Sequence, residues 1–166
     1  MLPAPRKTRG VGKPIHRRRY TGSPMIREVI THSAEETIAF GRSLKDLLAA
    51  PKLVVLRGPL GAGKTTLIKG IAEGFAAAAE EDVTSPTFTL IHEYRGPAAN
   101  LYHIDLYRID TDRELETLGL DDLFADNSIL LIEWGEKCPR FTHERDVEIV
   151  FEPAGEDVRR IRVTSR

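Results

Sequence analysis

The chain holds a single cysteine, Cys138, in 166 residues. No intrachain disulfide can form, which suits a reducing cytosol and makes a cytoplasmic protein the expectation. Nowhere does an apolar run approach the roughly 18 residues a membrane span needs. The basic N-terminus also lacks the continuous apolar stretch of about 7–15 residues that marks a secretory signal. No membrane partner is expected. His92 and His103 lack metal-ligand spacing to other donors, so no transition-metal site is expected either. Neither sign of charge dominates, because the net charge is −1. Hydrophobic residues make up 41%, enough for one core.

The balanced total hides an asymmetry. Residues 1–24 carry Arg6, Lys7, Arg9, Lys13, Arg17, Arg18 and Arg19 and no acid, so the remainder is acidic. We read 1–24 as a disordered basic tail and 25–166 as one domain. The tail suits phosphate neutralisation on a nucleic acid. With no aromatic interleaving for base stacking, it suits better a solvated leader, or an extension ahead of a true start at Met25.

Within the domain the spacing predicts a strand over 26–31. Ser33 and Glu36 then form a capping box that opens a helix ended by Pro51. A buried strand follows over 52–56, then a helix over 64–79 that is rich in alanine. Residues 83–89 read as strand, turn and strand around Ser85-Pro86. Further strands are expected over 90–94, 101–105 and 129–133. Short helices flank Gly119, and a C-terminal hairpin joins 147–151 to 158–164. The fold class is α/β: a mixed β-sheet flanked by helices.

Gly58-Pro59-Leu60-Gly61-Ala62-Gly63-Lys64-Thr65 matches G-x-x-x-x-G-K-[ST]. Glycines permit positive φ and bring backbone N–H groups close to oxygen. Those groups and the following helix start make an anion nest that extends to Thr66. Lys64 supplies a positive charge for β and γ phosphates, and the Thr65 hydroxyl is a hard ligand for Mg2+. A chance match arises about once per two hundred chains of this length. This one lies between an apolar strand and a helix, as the mechanism requires.

Two carboxylates end apolar strands: Asp105 after residues 101–104 and Glu133 after 129–132. Both can reach the metal or an attacking water, because ligands gather at strand carboxyl ends in open sheets. Ser85, Thr87 and Thr89 fit a switch loop that senses the γ-phosphate, or else a plain hydroxyl-rich turn. Trp134, beside Glu133, fits stacking on a base or a partner, or simple cover for the core. No Asn-Lys-x-Asp stretch for reading guanine occurs, which favours ATP.

In combination the motifs resemble one family, TsaE (also called YjeE), the small ATPase of bacterial tRNA threonylcarbamoyladenosine synthesis. The carriers are Gly58 to Thr66, Thr84-Ser85-Pro86-Thr87-Phe88-Thr89-Leu90, His103-Ile104-Asp105-Leu106-Tyr107-Arg108, Glu114-Leu115-Glu116 with Leu118-Gly119, and Ile132-Glu133-Trp134. The resemblance spans residues 26–164. It implies a P-loop NTPase-like fold and slow, magnesium-dependent ATP hydrolysis. The implied partners are TsaB and TsaD, with tRNA reached through that complex. Carried onto this chain, Lys64 binds phosphate, Thr65 and Glu133 ligate magnesium, and Asp105 orders the metal's water shell or the attacking water. Arg159 stands where the family often has an arginine near the nucleotide. Gly135 stands where it often has proline, and the basic tail is not a usual part of it. A stand-alone P-loop kinase and a non-hydrolytic ATP-gated assembly module are the alternatives. The kinase lacks an Arg-rich lid, since only Arg108 and Arg113 lie between residues 106 and 126.

Overall fold

The computed structural model describes residues 20–166. The expected tail therefore falls mostly outside the described residues. Tyr20 is held by a hydrogen bond from its hydroxyl to Asp146.

Seven strands form one sheet: β1 (Met25–Thr31), β2 (Lys52–Arg57), β3 (Ile91–Arg95), β4 (Asn100–Asp105), β5 (Ser128–Glu133), β6 (Val147–Gly155) and β7 (Val158–Ser165). Their order is β1-β7-β6-β2-β5-β4-β3. The four central strands, β6, β2, β5 and β4, run parallel. β3 adds antiparallel at one edge, and β7 and β1 add antiparallel at the other. Every residue of β5 is buried, as a strand covered on both faces requires.

Helices cover both faces. On one, α1 (Ala34–Ser43) and α2 (Lys64–Gly74) close a core of Leu44, Leu56, Leu67, Ile71, Leu131 and Ile149, among others. On the other, α3 (Asp112–Thr117), α4 (Leu120–Leu123) and α5 (Pro139–Glu144) lie beside a smaller cluster with Leu53, Val55, Leu130 and Phe141. The predicted cap of α1 is present: the Glu36 amide donates to Ser33 Oγ at 3.1 Å, and Glu36 accepts from the His32 amide at 2.7 Å. A second capping box, Thr111 with Glu114, starts α3.

The α1–α2 pair touches at the backbone. A Cβ on Gly70 would lie 2.0 Å from the Ile38 carbonyl oxygen, and one on Gly41 would lie 2.5 Å from that of Leu67. This contact fixes α2, and with it the start of the helix at Lys64, against α1.

Three sequence expectations need correction. α1 stops at Ser43, with Leu44 as its C-cap, rather than running to Pro51. α2 stops at Gly74 rather than running to residue 79. Ala76 takes φ 52°, and the Ala77 amide donates back to the Ala72 carbonyl at 2.9 Å. That is a Schellman-type stop, with alanine in the place where glycine is usual. Residues 83–89 form no strand: a 3-10 turn at Glu80–Asp82 leads into an irregular loop. Their hydroxyls bond to a distant carboxylate instead of supporting a ladder. The α5 segment and the 3-10 turn Gly135–Lys137 were not anticipated from the sequence.

Candidate functional site

β2, β4 and β5 end side by side. The register pairs Leu56 with Glu133 and Asp105 with Glu133, so both carboxylates emerge next to the turn that follows β2. A cleft of about 340 Å3 opens there. Leu60 to Thr66 line one side, while Ser85, Thr87, Asp105, Tyr107, Glu133, Trp134 and Arg159 complete it. Its size lies at the small end of ligand cavities, roughly 300–1,000 Å3.

The glycine-rich turn has the geometry its sequence demands. Gly58, Gly61 and Gly63 all have positive φ, at 153°, 72° and 103°. Gly63 caps α2 with no side-chain hydrogen bond, so the first amides of the helix lack a side-chain acceptor. Amides at a helix start carry partial positive charge and suit an anion. Lys64 folds back over the turn, with its ammonium donating to the Gly58 carbonyl at 2.5 Å and the Pro59 carbonyl at 3.3 Å. Burial pushes its pKa below the usual lysine value, while Glu133, Glu136 and Asp105 pull the other way. Arg159 donates from Nε to the Ala62 carbonyl at 3.0 Å, beside Gly63.

Glu133 is nearly buried and accepts from Thr65 Oγ1 at 3.1 Å. Its Oε1 also lies 2.9 Å from His103 Nε2. Asp105 Oδ2 accepts from Ser85 Oγ at 3.3 Å and Thr87 Oγ1 at 3.2 Å, and Oδ1 accepts from the Tyr107 amide at 2.9 Å. These hydrogen bonds let the sheet bury two acids that would otherwise be costly. Asp105 therefore turns toward the 85–87 loop, while Arg108 stacks on Phe88, its guanidinium 4.3 Å from the ring centroid.

Two hard oxygen groups, the Thr65 hydroxyl and the Glu133 carboxylate, thus lie side by side. Among the described residues no three His, Cys, Asp or Glu side chains are grouped to hold a metal alone. Magnesium needs no such cage, since it takes one or two carboxylates together with phosphate oxygens and waters. The donor set fits that cation.

Trp134 takes φ 61°, unusual for a bulky residue. Its ring packs beside the second apolar cluster and lies 4.1 Å from the Lys64 ammonium, within cation–π range. Tyr107 tilts against it at 5.2 Å. Trp134 thus lines the cleft and also covers part of the second apolar cluster. Of the hydroxyls expected together, Ser85 and Thr87 reach the cleft and Thr89 does not line it. Tyr107 and His103 were not assigned roles from the sequence. Alternation along β4 carries the signal for His103, because residues 103 and 105 share a sheet face.

The family described as "Threonylcarbamoyl adenosine biosynthesis protein TsaE" matches residues 31–161. The chain belongs to the TsaE family. It is 38% identical to the tRNA threonylcarbamoyladenosine biosynthesis protein TsaE of Bacillus subtilis over 81% of this chain and 83% of that protein. With the protein of the same name from Aquifex aeolicus it shares 34% identity, over 84% of this chain and 96% of that one. The crystal structure of Bacillus subtilis YdiB superposes with a TM-score of 0.62 at 32% identity, covering 87% of this chain and 88% of that one. The P-loop NTPase-like α/β architecture is that of the TsaE family, whose members are named for tRNA threonylcarbamoyladenosine biosynthesis.

Proposed function

We propose that the cleft binds ATP with magnesium, that the chain hydrolyses the nucleotide slowly, and that hydrolysis serves a complex with TsaB and TsaD that modifies tRNA. The observation that carries this reading is the meeting of Lys64, Thr65 and Glu133 at one end of the sheet, with Thr65 Oγ1 3.1 Å from Glu133 Oε1.

In this reading Lys64 releases the Gly58 and Pro59 carbonyls and turns to the β and γ phosphates. The nest from Gly58 to Thr66 (Gly58, Leu60, Gly61, Ala62, Gly63, Lys64, Thr65, Thr66) holds phosphate oxygens by backbone N–H groups. Arg159, on the cleft wall, braces the turn through the Ala62 carbonyl. Thr65 and Glu133 would hold magnesium, with Asp105 near its water shell. Magnesium held there would supply neutralisation of phosphate charge.

Asp105 would order the attacking water, which adds to the γ-phosphorus as the bond to the bridging oxygen breaks, leaving ADP and phosphate with a proton released to solvent. A water there competes with Ser85 and Thr87 for Asp105 Oδ2. Occupancy of the cleft and the shape of the 85–89 loop are thereby linked, which supports the switch-loop reading. In this reading threonylcarbamoyl transfer itself belongs to a partner. The proposed setting is the cytoplasm, where the tRNA substrate resides.

Titration calorimetry with ATP and magnesium tests the site. Wild-type protein binds saturably, and Lys64→Ala and Thr65→Ala weaken binding at least tenfold, about 1.4 kcal/mol. Equal binding by all three proteins would refute the assignment.

A further inference from the structure

We propose that His103 is a positioning residue that dictates which oxygen of Glu133 faces the metal. This rests on the reading of Glu133 as a magnesium ligand and adds a residue to it.

Three observations carry it. First, the Thr65 hydroxyl and His103 Nε2 converge on the same carboxylate oxygen, Oε1, at 3.1 and 2.9 Å. Among the described residues no hydrogen bond reaches Oε2. The carboxylate is thus held by one oxygen, and the other is left with its lone pairs for an incoming cation.

Second, His103 has no other evident task. It is fully buried in β4, and its Nδ1 has no hydrogen-bond partner. Opposite it on β3 stands His92, whose Nδ1 is near the Thr84 carbonyl and the Tyr94 hydroxyl. On β5 its register partner is Leu131. A buried polar atom left unpaired costs about 1–3 kcal/mol. An apolar side chain would avoid that cost at this position. The orphaned Nδ1 is the cost of presenting Nε2–H to Glu133.

Third, the geometry suits a directing role. His103 and Glu133 lie on adjacent parallel strands, diagonal to one another on the α2 face. Neither backbone can move without disturbing the central sheet. The donor is therefore fixed relative to Thr65, and a rotated Glu133 carboxylate would lose the bond. Partners that orient metal ligands in this way typically contribute 10–100-fold to metal affinity.

The experiment compares wild type with His103→Leu, His103→Gln and His103→Asn, titrating a non-hydrolysable ATP analogue with EDTA and over a magnesium series. The glutamine amide nitrogen reaches the place of Nε2, whereas that of asparagine reaches only the place of Nδ1. Wild type needs little magnesium to tighten the analogue. His103→Leu keeps its metal-free affinity within about 2-fold and needs about 10–100-fold more magnesium. His103→Gln returns to within about 3-fold of wild type, and His103→Asn does not. An unchanged magnesium requirement in His103→Leu overturns the proposal, as does a parallel fall in metal-free and metal-dependent affinity. Should His103→Leu fail to fold, an equal requirement in the glutamine and asparagine variants overturns it. A wild-type protein that binds the analogue under no metal condition would instead sink the nucleotide reading itself.

Discussion

Gly61 and Gly63 both take positive φ in the phosphate turn, yet they differ in what a side chain would meet. At Gly61 (φ 72°) a Cβ finds nothing within 4 Å. At Gly63 (φ 103°) it lands 2.6 Å from Arg159 Nε and 2.8 Å from Arg159 Cδ. Gly61→Ala therefore adds backbone strain alone, about 1–2 kcal/mol. Gly63→Ala adds comparable or greater strain and also expels Arg159, which gives up its bond to the Ala62 carbonyl. That loss contributes about 0.5–1.5 kcal/mol more. The expected totals are about 1–2 kcal/mol for Gly61→Ala and about 2–4 kcal/mol for Gly63→Ala. Urea unfolding of the nucleotide-free protein measures both. In an Arg159→Ala background the Gly63→Ala cost shrinks by about 1 kcal/mol, a coupling within the range seen for touching residues. Equal costs for the two glycines, together with no coupling to Arg159, would refute the placement of Arg159 against the phosphate turn.

Lys64→Met removes a buried ammonium whose pKa is lowered. Between that lowered value and 10.5 the unfolded chain holds a proton that the folded chain has released, so wild-type stability rises with pH across this window. Any stability advantage of the variant accordingly narrows from pH 8 toward 10.5 in paired denaturation curves, and an advantage that widens would contradict the burial argument. Gly70→Ala gains about 1 kcal/mol of helix propensity but places Cβ 2.0 Å from the Ile38 carbonyl oxygen. Overpacking of about 3 kcal/mol wins, and calorimetry should show a Tm lowered by roughly 4–8 °C; an unchanged or raised Tm would disprove the close crossing of α1 and α2.

Local physics made parts of this molecule readable in advance. The apolar runs of β2 and β5 identify central strands because they are covered on both faces. The glycine spacing identifies the phosphate turn because the chemistry admits few alternatives. Strand ends then locate Asp105 and Glu133. What escaped depends on contacts between distant segments. The alanines after Gly74 favour helix locally, but Phe75 is buried and Ala76 turns the chain away. Ser85 and Thr87 sit 20 and 18 residues from the carboxylate that holds them, so their loop resembles a strand until the fold is known. The Thr111–Glu114 box obeys a known local pattern and stands directly ahead of α3, so this helix start is legible in the sequence. His103 illustrates the intermediate case: strand alternation puts it with Asp105, but only the structure shows Nε2 on Glu133 and Nδ1 on nothing.

Hydrolysis of ATP by this cleft in the service of a TsaB–TsaD assembly is what we propose. Phosphate release by the purified chain, alone and with the TsaB–TsaD pair, tests it most directly. Slow release by the chain alone and stimulation by the pair are expected, with both lost in Lys64→Ala and Glu133→Ala. Brisk turnover that depends on an added small acceptor, or stimulation that survives Glu133→Ala, would contradict it.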